Sequence, residues 1–175
     1  RRIKNEKNLN NKKVLLRLDL NVPLENGKIS DTTRIDKILP TLKFLIQQKT
    51  KIIILSHIGR PKGKIVKELS LLPIIDKFKK KLDTNVKLIT ENIYKIKNRN
   101  FFNKFDEGIL ILENIRFYTE EEKNDLNFAK HLASFADIYV NEAFSCSHRS
   151  HSSINQISKF LPSFSGLQFD LEVNA

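Results

Sequence analysis

The chain has 175 residues, of which 40% are hydrophobic and 29% are charged, the balance of a single soluble globular domain. Its longest apolar runs, such as Ile52 to Leu55, are too short to span a bilayer, and its Lys- and Asn-rich beginning lacks the apolar segment of a signal peptide. Cys146 is the only cysteine, which excludes an internal disulfide and favours a reducing compartment. Membrane, collagen-like and disulfide-rich proteins are therefore excluded.

The net charge of +11 indicates an anionic partner, such as nucleic acid, a membrane surface or a small substrate. Abundant Lys and Asn together often reflect AT-rich coding, however, so the lysine excess is weak support for a binding surface. Only eight of the 31 basic residues are Arg. In a chain that prefers Lys, an Arg indicates a need for a planar, forked donor, although ordinary surface or ion-paired arginines are the alternative.

In the first third of the chain, the hydrophobic pattern predicts a buried strand, a turn, a helix and a second strand. The strand covers residues 13–20, and the following Asn26-Gly27 pair predicts a tight turn. Apolar residues at helical spacing predict a helix over 33–48, with a kink or a new helix start near Leu39 because Pro40 follows. Residues 51–56 form a continuous apolar strand of the kind buried on both faces of a parallel sheet.

The same alternation continues to the end of the chain. Further strands are predicted over residues 86–89, 108–113 and 137–140, and helices over residues 71–82, 125–136 and 152–161. The segment 92–106 is irregular. Strands that alternate with helices predict an α/β fold with three layers, a parallel β-sheet covered by helices on both faces, which is the Rossmann-like, doubly wound arrangement.

In such a sheet the ligand lies beyond the carboxyl ends of the strands. Polar or basic residues follow four of the predicted strands, and we expect them to share one site: Asp19, Asn21, His57, Arg60, Arg116 and Arg149. The five glycines cannot form either common glycine-rich nucleotide motif. His148 and His151 have a spacing that would suit a metal on a helix, but no carboxylate or thiolate pattern accompanies them, and Cys146 has no arranged base. We therefore expect neither a metal site nor a cysteine nucleophile.

Four segments, read together and in order, resemble the N-terminal domain of phosphoglycerate kinase. They are KVLLRLDLNVP at 13–23 with its Arg-x-Asp-x-Asn-Val-Pro motif, SHIGRP at 56–61, LENIRF at 112–117 with EEEKND at 120–125, and NEAFSCSHRSH at 141–151. The resemblance implies a reversible glycolytic kinase that transfers a phosphoryl group between Mg-ATP and the carboxylate of 3-phosphoglycerate, with 1,3-bisphosphoglycerate as the phosphorylated partner.

The resemblance also implies roles for individual residues. Asp19 and Asn21 would hold the hydroxyl and carboxylate end of the glycerate. Arg34 would be the catalytic arginine that stabilises the transferring phosphoryl group. The basic cluster around the phosphate and carboxylate would consist of His57, Arg60, Arg116 and Arg149.

The family comparison further implies a domain division. Residues 1–165 would form the glycerate-binding domain and 166–175 the start of the interdomain helix, while the nucleotide domain that binds Mg-ATP or Mg-ADP would be absent from this chain. We therefore expect an isolated chain that is inactive, monomeric and cytoplasmic, whose partner is the C-terminal domain and which binds neither nucleic acid nor membrane.

Two positions in the fourth segment depart from the family pattern. Glu142 replaces the usual Asp, and Ser145 replaces a Gly. If that glycine requires a positive φ, Ser145 would cost about 1 kcal/mol or bend the loop. Near the end of the chain, Leu171-Glu172 replaces the usual Lys-Glu pair.

Two other functions stay open at this point. A stand-alone module could bind phosphorylated anions at the same site without catalysis. A basic nucleic-acid-binding protein would show steeply salt-dependent binding, but the charges are dispersed and no stacking platform of exposed aromatic residues is evident.

Overall fold

The computed structural model describes residues 1–175, and its centre is a six-stranded parallel sheet. In chain order its strands are β1 (Lys13–Arg17), β4 (Lys51–Leu55), β5 (Val86–Ile89), β6 (Ile109–Leu112), β7 (Ile138–Asn141) and β8 (Ser163–Ser165). Their spatial order is β5-β6-β4-β1-β7-β8. Strands β4, β6 and β5 lie on one side of β1 and strands β7 and β8 on the other, so the chain extends the sheet in both directions from β1, as in a doubly wound sheet.

A separate two-stranded hairpin and five α-helices complete the architecture. The hairpin pairs β2 (Leu24–Glu25) with β3 (Lys28–Ile29). Its turn residues have φ values of 52° and 76° at Asn26 and Gly27, which confirms the turn expected from the Asn-Gly pair. The helices are α1 (Thr33–Gln47), α2 (Leu72–Leu82), α3 (Thr119–Glu122), α4 (Leu126–Ala133) and α5 (Leu167–Val173). No helix is long and apolar enough to cross a membrane.

The sheet separates two hydrophobic cores, because alternate side chains of each strand point to opposite faces. Leu16 of β1 packs in the core that includes α1 and α2, whereas its neighbour Leu15 packs in the core that includes α4. The central strands are thus buried on both faces, which explains their continuous apolar sequences. The predicted α/β fold with helices on both faces is confirmed.

One predicted helix is wrong. Residues 152–161 form turns followed by a short 3₁₀-helix at Gln156–Lys159. The reason lies in two buried serines whose hydroxyls bond outside the segment. The Ser152 hydroxyl donates to the Asp125 carbonyl at 2.8 Å, and the Ser153 hydroxyl donates to Glu121. These side-chain bonds compete with regular helix formation.

Proline does not start a new helix in α1, which runs through Pro40 without interruption. Pro40 and Asp36, whose carbonyl would otherwise accept the missing hydrogen bond, are both exposed, so water can satisfy that carbonyl.

The short edge strand β8 has no counterpart in the sequence-based prediction, since Ser163 to Ser165 contains one apolar residue only.

Candidate functional site

A cavity of about 240 Å³ lies at the carboxyl edge of the sheet, where the segments after β1, β4, β6 and β7 meet the first turn of α1. Its lining consists of Asp19, Asn21, Arg34, His57, Gly59, Arg60, Arg116, Ser145, Cys146 and Arg149. All seven site residues expected from the sequence are in this set, so the structure brings every one of them together. We call this space the anion cavity, for the charges described below.

One side of the anion cavity is formed by an ion pair between Asp19 and Arg34. The Arg34 Nη1 lies 2.7 Å from each Asp19 carboxylate oxygen. The Ser145 hydroxyl donates to the same carboxylate from the segment after β7. The Arg34 side chain is 47% exposed and that of Asp19 is 14% exposed, so this ion pair is open to solvent on its arginine side.

A backbone contact positions Asn21. The Gly59 amide donates to the Asn21 Oδ1 at 2.9 Å, which leaves the Asn21 amino group as a free donor. Gly59 has a φ of +66°, and a Cβ there would meet the Leu69 side chain at 2.8 Å. Glycine is therefore required at this position both by backbone conformation and by space.

Three arginines of the anion cavity have no carboxylate partner: Arg60, Arg116 and Arg149. Arg116 is buried, its Nη1 reaches only the Gly59 carbonyl at 3.4 Å, and its Nε has no hydrogen-bond partner. An unpartnered guanidinium nitrogen is costly inside a protein, so the arrangement favours an anionic ligand that would satisfy it. Asp19 is the one acidic residue among four arginines in the lining, which leaves the anion cavity strongly positive.

His57 is 2% exposed and contributes a neutral donor. Its Nδ1 lies 3.0 Å from the Arg17 Nη2. Since arginine only donates, the Nδ1 accepts and the ring proton is on Nε2. Burial, followed by the charges of Arg17 and Arg116, lowers the pKa of His57 to about 2, so the ring stays neutral at physiological pH.

Behind His57 lies a buried network that sequence analysis did not assign to the site. The Arg17 Nε donates to the Ser153 hydroxyl at 2.9 Å, and its Nη2 lies 3.9 Å from the Glu121 carboxylate. Arg17 and Glu121 are both 0% exposed. Burial raises the pKa of Glu121, while Arg17 and the bonds from Ser153 oppose that rise. In the sequence, the one feature that indicated this network was Arg17, a charged residue inside an otherwise apolar strand.

The structure records no group of three or more His, Cys, Asp or Glu side chains arranged to hold a metal ion. His148 is exposed, and its ring packs edge-on against Phe144. The Cys146 thiol is buried beside the Ser145 hydroxyl at 3.8 Å, with no hydrogen bond to a histidine.

The two departures from the family pattern are both accommodated. Ser145 is not among the residues with a positive φ, so the strain considered for a Ser at a glycine position is absent. Its hydroxyl instead bonds Asp19. Glu142 is buried and accepts hydrogen bonds from the first turn of α5.

Comparison with known proteins finds relatives named phosphoglycerate kinase. The sequence profile of the family described as "Phosphoglycerate kinase" matches residues 4–175. The phosphoglycerate kinase of Wolbachia pipientis wMel is 52% identical over 159 residues, which are 90% of this chain and 39% of that protein. The phosphoglycerate kinase of Prochlorococcus marinus (strain MIT 9515) is 47% identical over 168 residues, 94% of this chain and 42% of that protein.

Two solved structures resemble the fold over its full extent. The phosphoglycerate kinase of Coxiella burnetii has a TM-score of 0.88 and 37% identity, and the match covers 100% of this chain and 43% of that one. The phosphoglycerate kinase of Pyrococcus horikoshii OT3 has a TM-score of 0.84 and 30% identity, and covers 99% of this chain and 44% of that one. This chain thus spans about two fifths of its relatives' length, and it belongs to the phosphoglycerate kinase family.

Proposed function

We propose that this chain is the glycerate-binding part of a phosphoglycerate kinase and that its anion cavity binds 3-phosphoglycerate or 1,3-bisphosphoglycerate. The observation that carries the proposal is the set of three arginines without carboxylate partners around one cavity. A phosphate and a carboxylate joined by a short carbon chain present two anionic ends, which such a cluster can neutralise together.

The buried donors would bind the anionic groups of the ligand. Arg116 offers an unpartnered Nε, and His57 offers its Nε2–H as a neutral donor. Arg60 and Arg149 would close over the ligand from the exposed side. Each charge-assisted hydrogen bond contributes about 1.5–3 kcal/mol, so three arginines suffice for specific binding of a small, multiply charged anion.

Asp19 and Asn21 would orient the hydroxyl and carboxylate end of the glycerate, and Arg34 would neutralise charge on the transferring phosphoryl group. Phosphoryl transfer requires alignment and charge neutralisation rather than covalent participation of the protein. Arg34 contacts Asp19 through Nη1 alone, so its Nη2 and Nε stay available to the phosphoryl group while the ion pair persists. The partly exposed ion pair is worth at most about 1 kcal/mol, so ligand binding can also open it.

The residues of this chain do not fit a magnesium nucleotide. No cluster of metal ligands is present, and five glycines do not form a glycine-rich phosphate loop. We therefore propose that Mg-ATP or Mg-ADP binds a C-terminal domain, as expected for an enzyme whose relatives are more than twice this length.

On the same proposal, residues 1–165 are the glycerate domain and the segment from 166 onward leads to the nucleotide domain. The chain alone would be a cytoplasmic monomer without kinase activity, because closure around both substrates needs the second domain. A coupled assay of the purified chain tests this point: turnover above the level of an Arg34→Ala sample would contradict it.

Calorimetric titration tests the ligand assignment. We expect saturable binding of 3-phosphoglycerate, no specific binding of ATP, and an affinity about tenfold or more weaker in Arg60→Ala. Arg99→Ala is the matched control, since Arg99 is a half-exposed arginine paired with Asp137 and outside the anion cavity. Binding of ATP without the glycerate, or equal losses in both variants, would overturn the assignment.

A further inference from the structure

A buried carboxylate outside the anion cavity joins three parts of the molecule. Glu142 is 3% exposed and follows β7 directly. Its Oε1 accepts a hydrogen bond from the Phe169 amide at 2.6 Å, and its Oε2 accepts one from the Gln168 amide at 3.2 Å. These amides belong to the first turn of α5, where backbone N–H groups have no partner within the helix. Glu142 therefore caps α5 from another element of the fold.

The same carboxylate reaches α1 through one hydroxyl. Thr41 donates its hydroxyl proton to Glu142 and accepts the Leu167 amide at 3.1 Å. Thr41 lies two helical turns after Arg34, on the same face of α1, so its attachment fixes the face that carries Arg34.

The segment that carries Ser145 and Arg149 is the third part. The ring of Phe144 packs edge-on against Phe169 with centroids 5.4 Å apart. The Gly166 amide donates to the Asn141 carbonyl at 3.0 Å. The segment after β7 is thus attached to α5 on both sides of Glu142.

Gly166 shows how closely these parts approach. Its φ of −79° suits any residue, but an added Cβ would overlap the Glu142 carboxylate. Glycine is needed here for space alone. No cation lies within ion-pairing distance of Glu142, and burial raises its pKa, although its hydrogen bonds oppose that rise. The carboxylate is held by neutral donors, which makes its contacts dependent on geometry.

We propose that Glu142 is a positioning residue: it holds α1 and the Ser145–Arg149 segment in one arrangement against α5, so that the anion cavity keeps its shape only while α5 is seated. Glu142 does not line the anion cavity; it lines an adjoining cavity that shares Asp19, Arg34 and Ser145 with it, so we infer that it acts on the ligand through Arg34 and Ser145. This inference takes from the proposed function only the identity of the ligand, 3-phosphoglycerate. Linkage requires the converse as well, so ligand binding must strengthen the seating of α5.

The decisive variant is Glu142→Gln, because it keeps the shape and replaces one acceptor oxygen with a donor. We expect amide hydrogen exchange at Gln168 and Phe169 to accelerate about fivefold or more, and affinity for 3-phosphoglycerate to fall about three- to tenfold. Removal of a negative charge near a cationic cavity would by itself tighten anion binding. The direction of the change therefore separates positioning from simple electrostatics.

Glu91→Gln is the matched control, since Glu91 is exposed and has no recorded hydrogen bond. If Glu142→Gln does not unfold cooperatively, Thr41→Val replaces it, with about a two- to threefold effect expected on both readouts because one donor and one acceptor are lost. Wild-type exchange and wild-type or tighter binding in a folded variant would overturn the proposal.

The experiments distinguish a failure of the positioning role of Glu142 from a failure of the proposed ligand assignment. If the wild-type chain does not bind 3-phosphoglycerate, the ligand assignment fails. Exchange at Gln168 and Phe169 and the NMR signal of the Arg34 Nε–H still decide whether Glu142 positions α1 and α5. A variant that leaves all three signals unchanged contradicts the inference in either case.

Discussion

The anion cavity has a buried wall and an exposed wall, and the two hold their charged groups by different means. The buried wall consists of His57 and Arg116, with Arg17 behind them. Arg17 is bonded through its Nε and Nη2 atoms and has a buried carboxylate, Glu121, nearby. In a low-dielectric interior such a network is rigid when complete and costly when one member is lost.

The exposed wall consists of Arg34, Ser145 and Arg149, together with the less exposed Asp19. Here Asp19 and Arg34 form a partly exposed ion pair, and Arg149 has no carboxylate partner. Water screens these charges, so their rearrangement costs little. On the proposed function, the buried wall would present donors that are fixed before the ligand binds, whereas the side chains of the exposed wall, on backbone held by α5, could rearrange around it.

The largest expected change in the free energy of unfolding comes from replacing Arg17, which lies behind the buried wall. In Arg17→Met the Glu121 carboxylate stays buried without its cation, so we expect the free energy of unfolding to fall by about 3–5 kcal/mol. Arg60→Met is the control, because Arg60 is exposed and unpaired, and its effect on unfolding is expected within about 0.5 kcal/mol. Urea denaturation measures both, and equal effects would remove the distinction between the walls.

The pH dependence of stability tests the buried wall next. The pKa of His57 is lowered to about 2 in the folded chain, against about 6.5 when unfolded. Protons therefore bind the unfolded state preferentially below pH 6.5, and stability is lost as the pH falls. Between pH 6.5 and 4.5 we expect wild type to lose about 2 kcal/mol more than His57→Asn, which retains an acceptor for Arg17 and does not titrate. Parallel curves would contradict a buried, neutral His57.

On the exposed wall, Arg34→Gln removes the ion pair with Asp19. Because that pair faces solvent, we expect the free energy of unfolding to change by at most about 1 kcal/mol. Thermal unfolding of the two proteins at equal ionic strength measures the difference. A loss comparable to that in Arg17→Met would show that the exposed wall is also a structural network.

The smallest expected effect concerns Ser145→Gly, which restores the usual family residue. Since Ser145 has no positive φ and its hydroxyl bonds Asp19, glycine should lower the free energy of unfolding by about 0.5–1 kcal/mol. A stabilised Ser145→Gly protein would instead reveal backbone strain at Ser145.

The sequence predicts the features that depend on neighbouring residues, and it fails where a feature depends on contacts between residues far apart in the chain. Apolar strands such as 51–56 and the Asn26-Gly27 turn are local patterns, and both are found in the structure. The rule that strand ends meet at one edge predicted six residues of the anion cavity, and the family resemblance added Arg34; all seven line it. The predicted helix over 152–161 fails because its serines bond groups elsewhere in the chain.

The supporting residues escape sequence analysis for the same reason. Arg17 bonds Ser153, which is 136 positions away, and Thr41 bonds Glu142, which is 101 positions away. No local period or spacing links such partners. Most residues that line the anion cavity follow from strand order, whereas those that hold them follow only from the folded packing.

The most direct test of the central claim is an NMR titration of the ¹⁵N-labelled chain with 3-phosphoglycerate. We expect saturable shifts at the Gly59, Arg116 and Cys146 amides and at the His57 Nε2, with the His57 ring neutral throughout. No saturable shift, or shifts confined to the separate cavity beside Ile65 and Tyr118, would contradict the assignment of the anion cavity as the glycerate site.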